Sequence, residues 1–175
     1  MSSVTPRPVR DAVEQAEDRR LRKEARRRWH VFLVTAVATF VADQAAKLIV
    51  RAAMDPGDRI GILPGFALVR ARNEGIAFGL FPGNQTLVAA LTVVALGLIA
   101  TVLARLAARS PAVAFGGGLL IGGSVGNFAD RLIHGGVTDF LDPTAFPAFN
   151  IADTGIVVGA AIVALGLLRV GESEP

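Results

Sequence analysis

Apolar and polar residues fall along this chain in long blocks. Residues 31–50, 86–106, about 112–133 and about 150–170 are predominantly apolar runs, each near the roughly 20 residues that a helix needs to cross a bilayer. Residues 51–84, between the first two runs, are too polar and too rich in Gly and Pro to cross. Within them Phe66–Arg72 and Ile76–Leu80 are short strand-like runs, and Asn73-Glu74-Gly75 between them is a turn signal. Residues 134–149 form an outer loop with Gly135-Gly136, Pro143 and Pro147. The pattern predicts an all-α integral membrane protein with four transmembrane helices and a small β-rich outer-face element between helices 1 and 2. Residues 1–30 form a basic tail, 31–170 the transmembrane unit, and 171–175 a short C-terminal tail.

Composition sharpens this picture. The chain is 52% hydrophobic and 19% charged, against about 25% charged for a soluble domain. Nine of its 18 Lys and Arg residues lie in the first 30 positions, among them the run Arg26-Arg27-Arg28. That tail suits a charged helix or a partly disordered segment. Nothing aromatic or motif-like interleaves it as a nucleic-acid reader would need, so no nucleic-acid partner is expected and membrane-side anchoring fits better. A cleaved signal peptide would have a shorter apolar core of about 7–15 residues; the first run is longer and holds Asp43 and Lys47, so it reads as a retained helix. Arg105, Arg109 and Arg169 join the tail on one side, while the opposite side holds Arg51, Arg59, Arg70 and Arg72. By the positive-inside rule both termini are cytoplasmic.

Candidate chemistry narrows quickly. The chain has no cysteine and two histidines, so thiol nucleophiles, thiolate metal sites and a His-rich metal centre are excluded. Carboxylates remain. Asp130, Asp139, Asp142 and Asp153 lie between Gly122 and Gly155, and carboxylates at membrane depth are costly unless they pair, face the interior or do chemistry. Asp139 and Asp153 end and begin apolar segments on the same side, where two close carboxylates would share one proton and act as acid and base on an amide. Asp130 abuts Arg131, which would hold it ionised, and Asp142 precedes Pro143 and reads as a turn acid. Asp43 and Lys47, at i and i+4, share a helix face; they either lock the bundle or brace a polar site. Asn73 is either a turn residue or part of that site. Asn127, Asp130 and Arg131 form an outer-end patch that reads equally as an internal Asp–Arg pair with an Asn cap. Gly118, Gly122 and Gly126 recur every fourth residue, as do Gly155 and Gly159, leaving bare faces for close helix packing.

Five motifs occur in order: Asp43-Gln44-x-x-Lys47, Asn73-x-Gly75-x-Ala77-Phe78, Gly122-Gly123-x-x-Gly126-Asn127-x-x-Asp130-Arg131, Val137-x-Asp139-Phe140 and Phe149-Asn150-x-Ala152-Asp153. Together, over roughly residues 31–170, they resemble the lipoprotein signal peptidase (signal peptidase II) family, four-span aspartic proteases of the bacterial inner membrane. The resemblance implies a catalytic dyad of Asp139 and Asp153. It implies cleavage of diacylglyceryl-modified prolipoproteins before the lipidated cysteine, with no metal or organic cofactor; membrane lipid is expected as a further partner, and the protein is expected to be monomeric. By position, Asn73, Asn127, Arg131 and Asn150 would contact or orient substrate and dyad. Asp43, Lys47, Gly126, Asp130 and Ala152 would shape the site, and surface strands of residues 60–80 would cradle the substrate. The basic tail lies outside the family pattern.

Two other classes compete on the residues alone. A small proton- or ion-handling membrane protein would need a polar line across the bilayer, whereas the polar residues here gather at one end and residues 86–106 are nearly bare of them. A non-catalytic assembly subunit would use the Gly stripes for docking and leave Asp139 and Asp153 without a task.

Overall fold

Between Pro8 and Pro56 no proline interrupts the chain, and the first helix runs without a break through nearly all of that interval. In the computed structural model, which describes residues 7–74, 85–106 and 110–171, α1 spans Arg7–Ala53, 47 residues. At 1.5 Å per residue it is about 70 Å long, more than twice the hydrocarbon thickness of a bilayer. The charged N-terminal residues are therefore helical and continuous with the first apolar run. Their ion pairs Arg22–Asp18, Arg20–Glu24 and Arg28–Glu24 are all spaced i, i+4, where helix geometry brings side chains together.

The other elements follow in the order β1 (Arg59–Leu63), β2 (Phe66–Asn73), α2 (Gln85–Leu106), α3 (Pro111–His134), β3 (Val137–Pro143) and α4 (Ile151–Gly171). Three helical stretches among the described residues, Asp11–Ala53, Pro111–His134 and Ile151–Arg169, are long and apolar enough to cross a membrane. The apolar run of residues 86–106 is helical, as α2. Large apolar side chains such as Val34, Val41, Leu98, Leu132, Val157 and Leu168 face outward, while Asp43, Lys47, Asp130 and Asn150 are completely buried. This inversion of the soluble pattern is what a lipid solvent selects.

Helix α3 occupies the centre, and glycine lets it do so. A Cβ on Gly118 would come 2.6 Å from the Phe32 carbonyl oxygen, and one on Gly122 would collide with that of Ala36. Gly126 meets Asp43 on the same neighbour, so the expected Gly118–Gly122–Gly126 face packs on α1. Gly116 and Gly123 form a second bare face that meets Gly159 and Ala152 of α4. At one end of the bundle Phe32, Leu103, Val113 and Ala114 make an apolar cluster. At the other, Val50, Met54 and Phe140 form a second, joined by Leu68, Leu141 and Ile151, which seats the sheet on the helix ends.

The sheet corrects the expectation in more than one respect: β1, Arg59–Leu63, was not among the runs read as strands. It has three antiparallel strands in the order β1-β2-β3, so the segment between α3 and α4, expected as an outer loop, also contributes a strand. β1 and β2 form a hairpin turned at Gly65, whose φ of 82° suits glycine. β2 pairs with β3 in a register that sets Ala71 opposite Asp139 and Asn73 opposite Val137. The first four residues of β3 are all buried, so no apolar–polar alternation marks it. Asp142 accordingly lies in a strand, ion-paired with Arg59 of β1, and is not a turn acid. The other expected strand, Ile76–Leu80, lies outside the described residues.

Candidate active site

Asn150 immediately precedes α4 and caps it. Its Oδ1 accepts the Asp153 backbone N–H at 2.9 Å, and Asp153 Oδ2 accepts the Asn150 backbone N–H at 3.2 Å. This reciprocal arrangement is a capping box with Asp in the usual Glu position, and it fixes the Asp153 carboxylate in the first turn. The next orphan donor of that turn, the Ala152 N–H, is taken by Asp43 Oδ1 from α1 at 2.9 Å.

Asp139 arrives from the other direction. Helix α3 ends at Gly135, in the left-handed region at φ 70°, and the chain turns into β3. Asp130 Oδ2 accepts the Thr138 backbone N–H at 3.0 Å, one residue before Asp139. The Asp139 carboxylate then accepts Asn150 Nδ2 at 2.7 Å on Oδ1 and Asn73 Nδ2 at 3.2 Å on Oδ2. Asn150 thus bonds both carboxylates. Burial, then the charge of Asp153, raises the Asp139 pKa to about 6, against the opposing pull of the Asn150 and Asn73 amides and of Lys47.

Behind the two carboxylates lies a buried polar network. Lys47 Nζ reaches Asp43 at 2.8 Å, Asn127 Oδ1 at 2.9 Å and Asp130 at 3.4 Å, one partner for each of its three protons. Asn127 Nδ2 donates to Asp153 Oδ1 at 2.8 Å. Arg51 Nη1 bridges Asp130 Oδ1 at 3.3 Å and Thr138 Oγ1 at 3.1 Å. Two acids, Asp43 and Asp130, therefore face two bases, Lys47 and Arg51, and the network is formally neutral, as burial requires.

Asp43, Lys47, Asn73, Gly126, Asn127, Asp130, Arg131, Asp139, Asn150, Ala152 and Asp153 all meet at one end of the bundle. The pairing expected between Asp130 and Arg131 takes a different form. Asp130 turns to Lys47, Arg51 and His134, the last at 3.7 Å. Arg131 Nη1 donates to the Asn127 carbonyl at 3.3 Å. Adjacent helical residues point about 100° apart, so neighbours in sequence need not pair. Asp142 stands apart on Arg59. Arg51, Thr138 and Gln44, whose Nε2 donates to Asp43 and to the Gly126 carbonyl, were not anticipated as site residues. Residues 43, 47 and 51 are spaced i, i+4, i+8, and that signal was available.

The sequence model described as Signal peptidase (SPase) II matches residues 35–169. The lipoprotein signal peptidase of Pelotomaculum thermopropionicum is 41% identical over 140 residues, covering 79% of this chain and 91% of its own. That of Vibrio cholerae is 37% identical over 163 residues, covering 87% and 94%. Two solved structures of bacterial membrane enzymes superimpose with TM-scores of 0.71 and 0.67, at 28% and 29% identity, over 82% and 79% of this chain and 91% and 92% of theirs. With a matching model over most of its length and relatives this similar, the chain belongs to the signal peptidase II family of membrane peptidases.

Proposed function

We propose that Asp139 and Asp153 are the catalytic dyad of an intramembrane endopeptidase that cuts diacylglyceryl-modified prolipoproteins on the N-terminal side of the lipidated cysteine. The observation that carries this is the Asn150 bridge: one residue bonds both carboxylates, and burial, then the charge of Asp153, raises the pKa of Asp139. Both effects favour the protonated form of Asp139.

In the proposed reaction Asp153 takes a proton from water as the water oxygen attacks the scissile carbonyl carbon. Asp139 gives its proton to the carbonyl oxygen, forming a tetrahedral diol. The proton on Asp153 then passes to the amide nitrogen, the C–N bond breaks, and a diol proton returns to Asp139, leaving acid and amine. Asn73, Asn127 and Asn150 hold the carboxylates in register, and Arg131 offers a cation beside them. Asp43, Lys47 and Asp130 fix the helix and strand that carry the dyad, while Gly126 and Ala152 keep the backbones close.

The same reading makes α2 the second of four spans, near 31–50, 86–106, 112–133 and 150–170, with both termini cytoplasmic in the bacterial inner membrane. Residues 1–30 then form the cytoplasmic extension, 31–170 the peptidase unit and 171–175 a tail, in a protein acting as a monomer. The basic residues near the helix ends support this orientation. A diacyl anchor keeps the substrate in the outer leaflet, so carboxylates at that depth meet the scissile bond without extracting lipid. Purified protein in detergent should cut a diacylglyceryl-modified prolipoprotein and leave its unlipidated twin intact on a gel. Equal cleavage of the two would remove the lipid from the recognition, and no cleavage of either would remove the reaction.

A further inference from the structure

The most basic part of the molecule lies at the end opposite the carboxylates, where the charged half of α1 meets its apolar half. There Glu24, Arg27, Arg28 and Val31 of α1, with Pro111 at the start of α3, line an open cavity of about 270 Å³. Glu24 is already matched, since Arg20 Nε reaches it at 3.1 Å and Arg28 Nη2 at 3.4 Å. Its charge is spent on holding Arg28 in the wall. Arg27 makes no ion pair with any described residue, so among the described residues the cavity lining carries a net positive charge.

Above the cavity the surface becomes apolar at once. Positions 27, 34 and 41 are spaced by seven and share one face of α1; Val34 and Val41 on it are 66% and 55% exposed. Trp29, the only tryptophan of the chain, packs edge-on against Phe32 at 5.4 Å between the two zones. A cation at the rim, a cavity large enough for a phosphoglycerol group and an apolar track leading away from it match one ligand chemistry: a phosphodiester headgroup with acyl chains attached.

We propose that this cavity binds the headgroup of an anionic phospholipid of the inner leaflet, through Arg27 and Arg28, with its chains along the Val34–Val41 face. The lipid phosphate and the two guanidinium groups would make charge-assisted hydrogen bonds in an environment drier than bulk water. The inference rests on the membrane placement proposed above, and its test also reads peptidase activity so that the two can fail separately.

Trp29 supplies the probe. The full chain in phosphatidylcholine nanodiscs is given a small fraction of either brominated phosphatidylglycerol or brominated phosphatidylcholine, and Trp29 quenching is compared. The anionic lipid should quench more strongly. Its apparent association should weaken by about fivefold for each charge removed in Arg27→Gln and Arg28→Gln, and the double Lys variant should restore most of it. Arg19→Gln with Lys23→Gln removes the same charge from residues that do not line the cavity and should leave the preference standing. Prolipoprotein cleavage in pure phosphatidylcholine should be unchanged in all variants. Equal quenching by the two lipids would overturn the proposal, as would a preference that survives loss of Arg27 and Arg28 or is lost equally with Arg19 and Lys23. Relief of quenching by inorganic phosphate, beyond that given by chloride at equal ionic strength, would show a site for free anions and overturn the lipid as its occupant.

Discussion

Asn127 donates its side-chain amide to Asp153 at 2.8 Å and can do so in only one orientation, because its carbonyl oxygen is already held by Lys47 at 2.9 Å and Asn150 at 3.2 Å. The ammonium that fixes Asn127 is itself fixed by two buried carboxylates. The geometry at Asp153 is thus set through Asn127 by a lysine and two carboxylates, all completely buried.

Removing Lys47 should therefore cost far more than one ion pair. Lys47→Met leaves Asp43 and Asp130 buried with their charge balance broken, and breaking a buried pair from one side costs about 3–5 kcal/mol. Thermal unfolding in detergent should show a large fall in Tm. A variant as stable as the wild type would mean that the two acids find other partners.

Asn150 performs two tasks that substitution can separate. Asn150→Ala removes the cap of α4, worth about 1 kcal/mol, together with the amide on Asp139. Asn150→Ser keeps a capping oxygen but loses that amide. Tm should recover in Ser relative to Ala, whereas kcat should stay depressed in both; recovery of kcat with Ser would reduce Asn150 to a cap.

The raised Asp139 pKa gives two pH predictions. Folding lifts it from 3.8 to about 6, so the native state binds this proton more tightly than the unfolded chain. Its contribution is full below the ordinary carboxylate range and is lost as pH rises through 6, a swing of roughly 3 kcal/mol. Asp139→Asn lacks this loss, so its Tm advantage over wild type should grow from pH 4 to pH 7. In activity, kcat/KM of the free enzyme should fall on the alkaline side with an apparent pKa near 6. Asn73→Ala removes a donor that favours the ionised form, and should move that limb to higher pH. Movement to lower pH would contradict the assignment.

Glycine contributes differently in different helices. A Cβ at Gly118 would press on the α1 backbone, so Gly118→Ala should destabilise by about 1–3 kcal/mol. At Gly97 on α2 nothing lies within 4 Å, and Gly97→Ala should leave Tm unchanged or raise it slightly. Equal effects at the two sites would contradict the packing.

The helices were legible because apolar runs of spanning length have few other solutions, and the Gly118–Gly122–Gly126 stripe named its own packed face. The site was legible as a set of residues, since carboxylates inside apolar sequence demand partners. Who pairs with whom was less so. Asp130 beside Arg131 suggested a pair, but helix geometry sent Asp130 to Lys47 and Arg51 on α1. Strand β3 was hidden because its first four residues are buried on both faces and carry no alternation. The contact from Asp43 to the Ala152 N–H joins residues far apart in the chain, and no local pattern encodes it.

The most direct test of the account is single-turnover cleavage of a diacylglyceryl-modified prolipoprotein by Asp139→Asn and Asp153→Asn, with Asp142→Asn as the comparison and folding checked by thermal unfolding. The account predicts folded proteins with cleavage reduced roughly 10³-fold or more in each of the first two and nearly unchanged in the third. Wild-type cleavage by either Asp139→Asn or Asp153→Asn would contradict it.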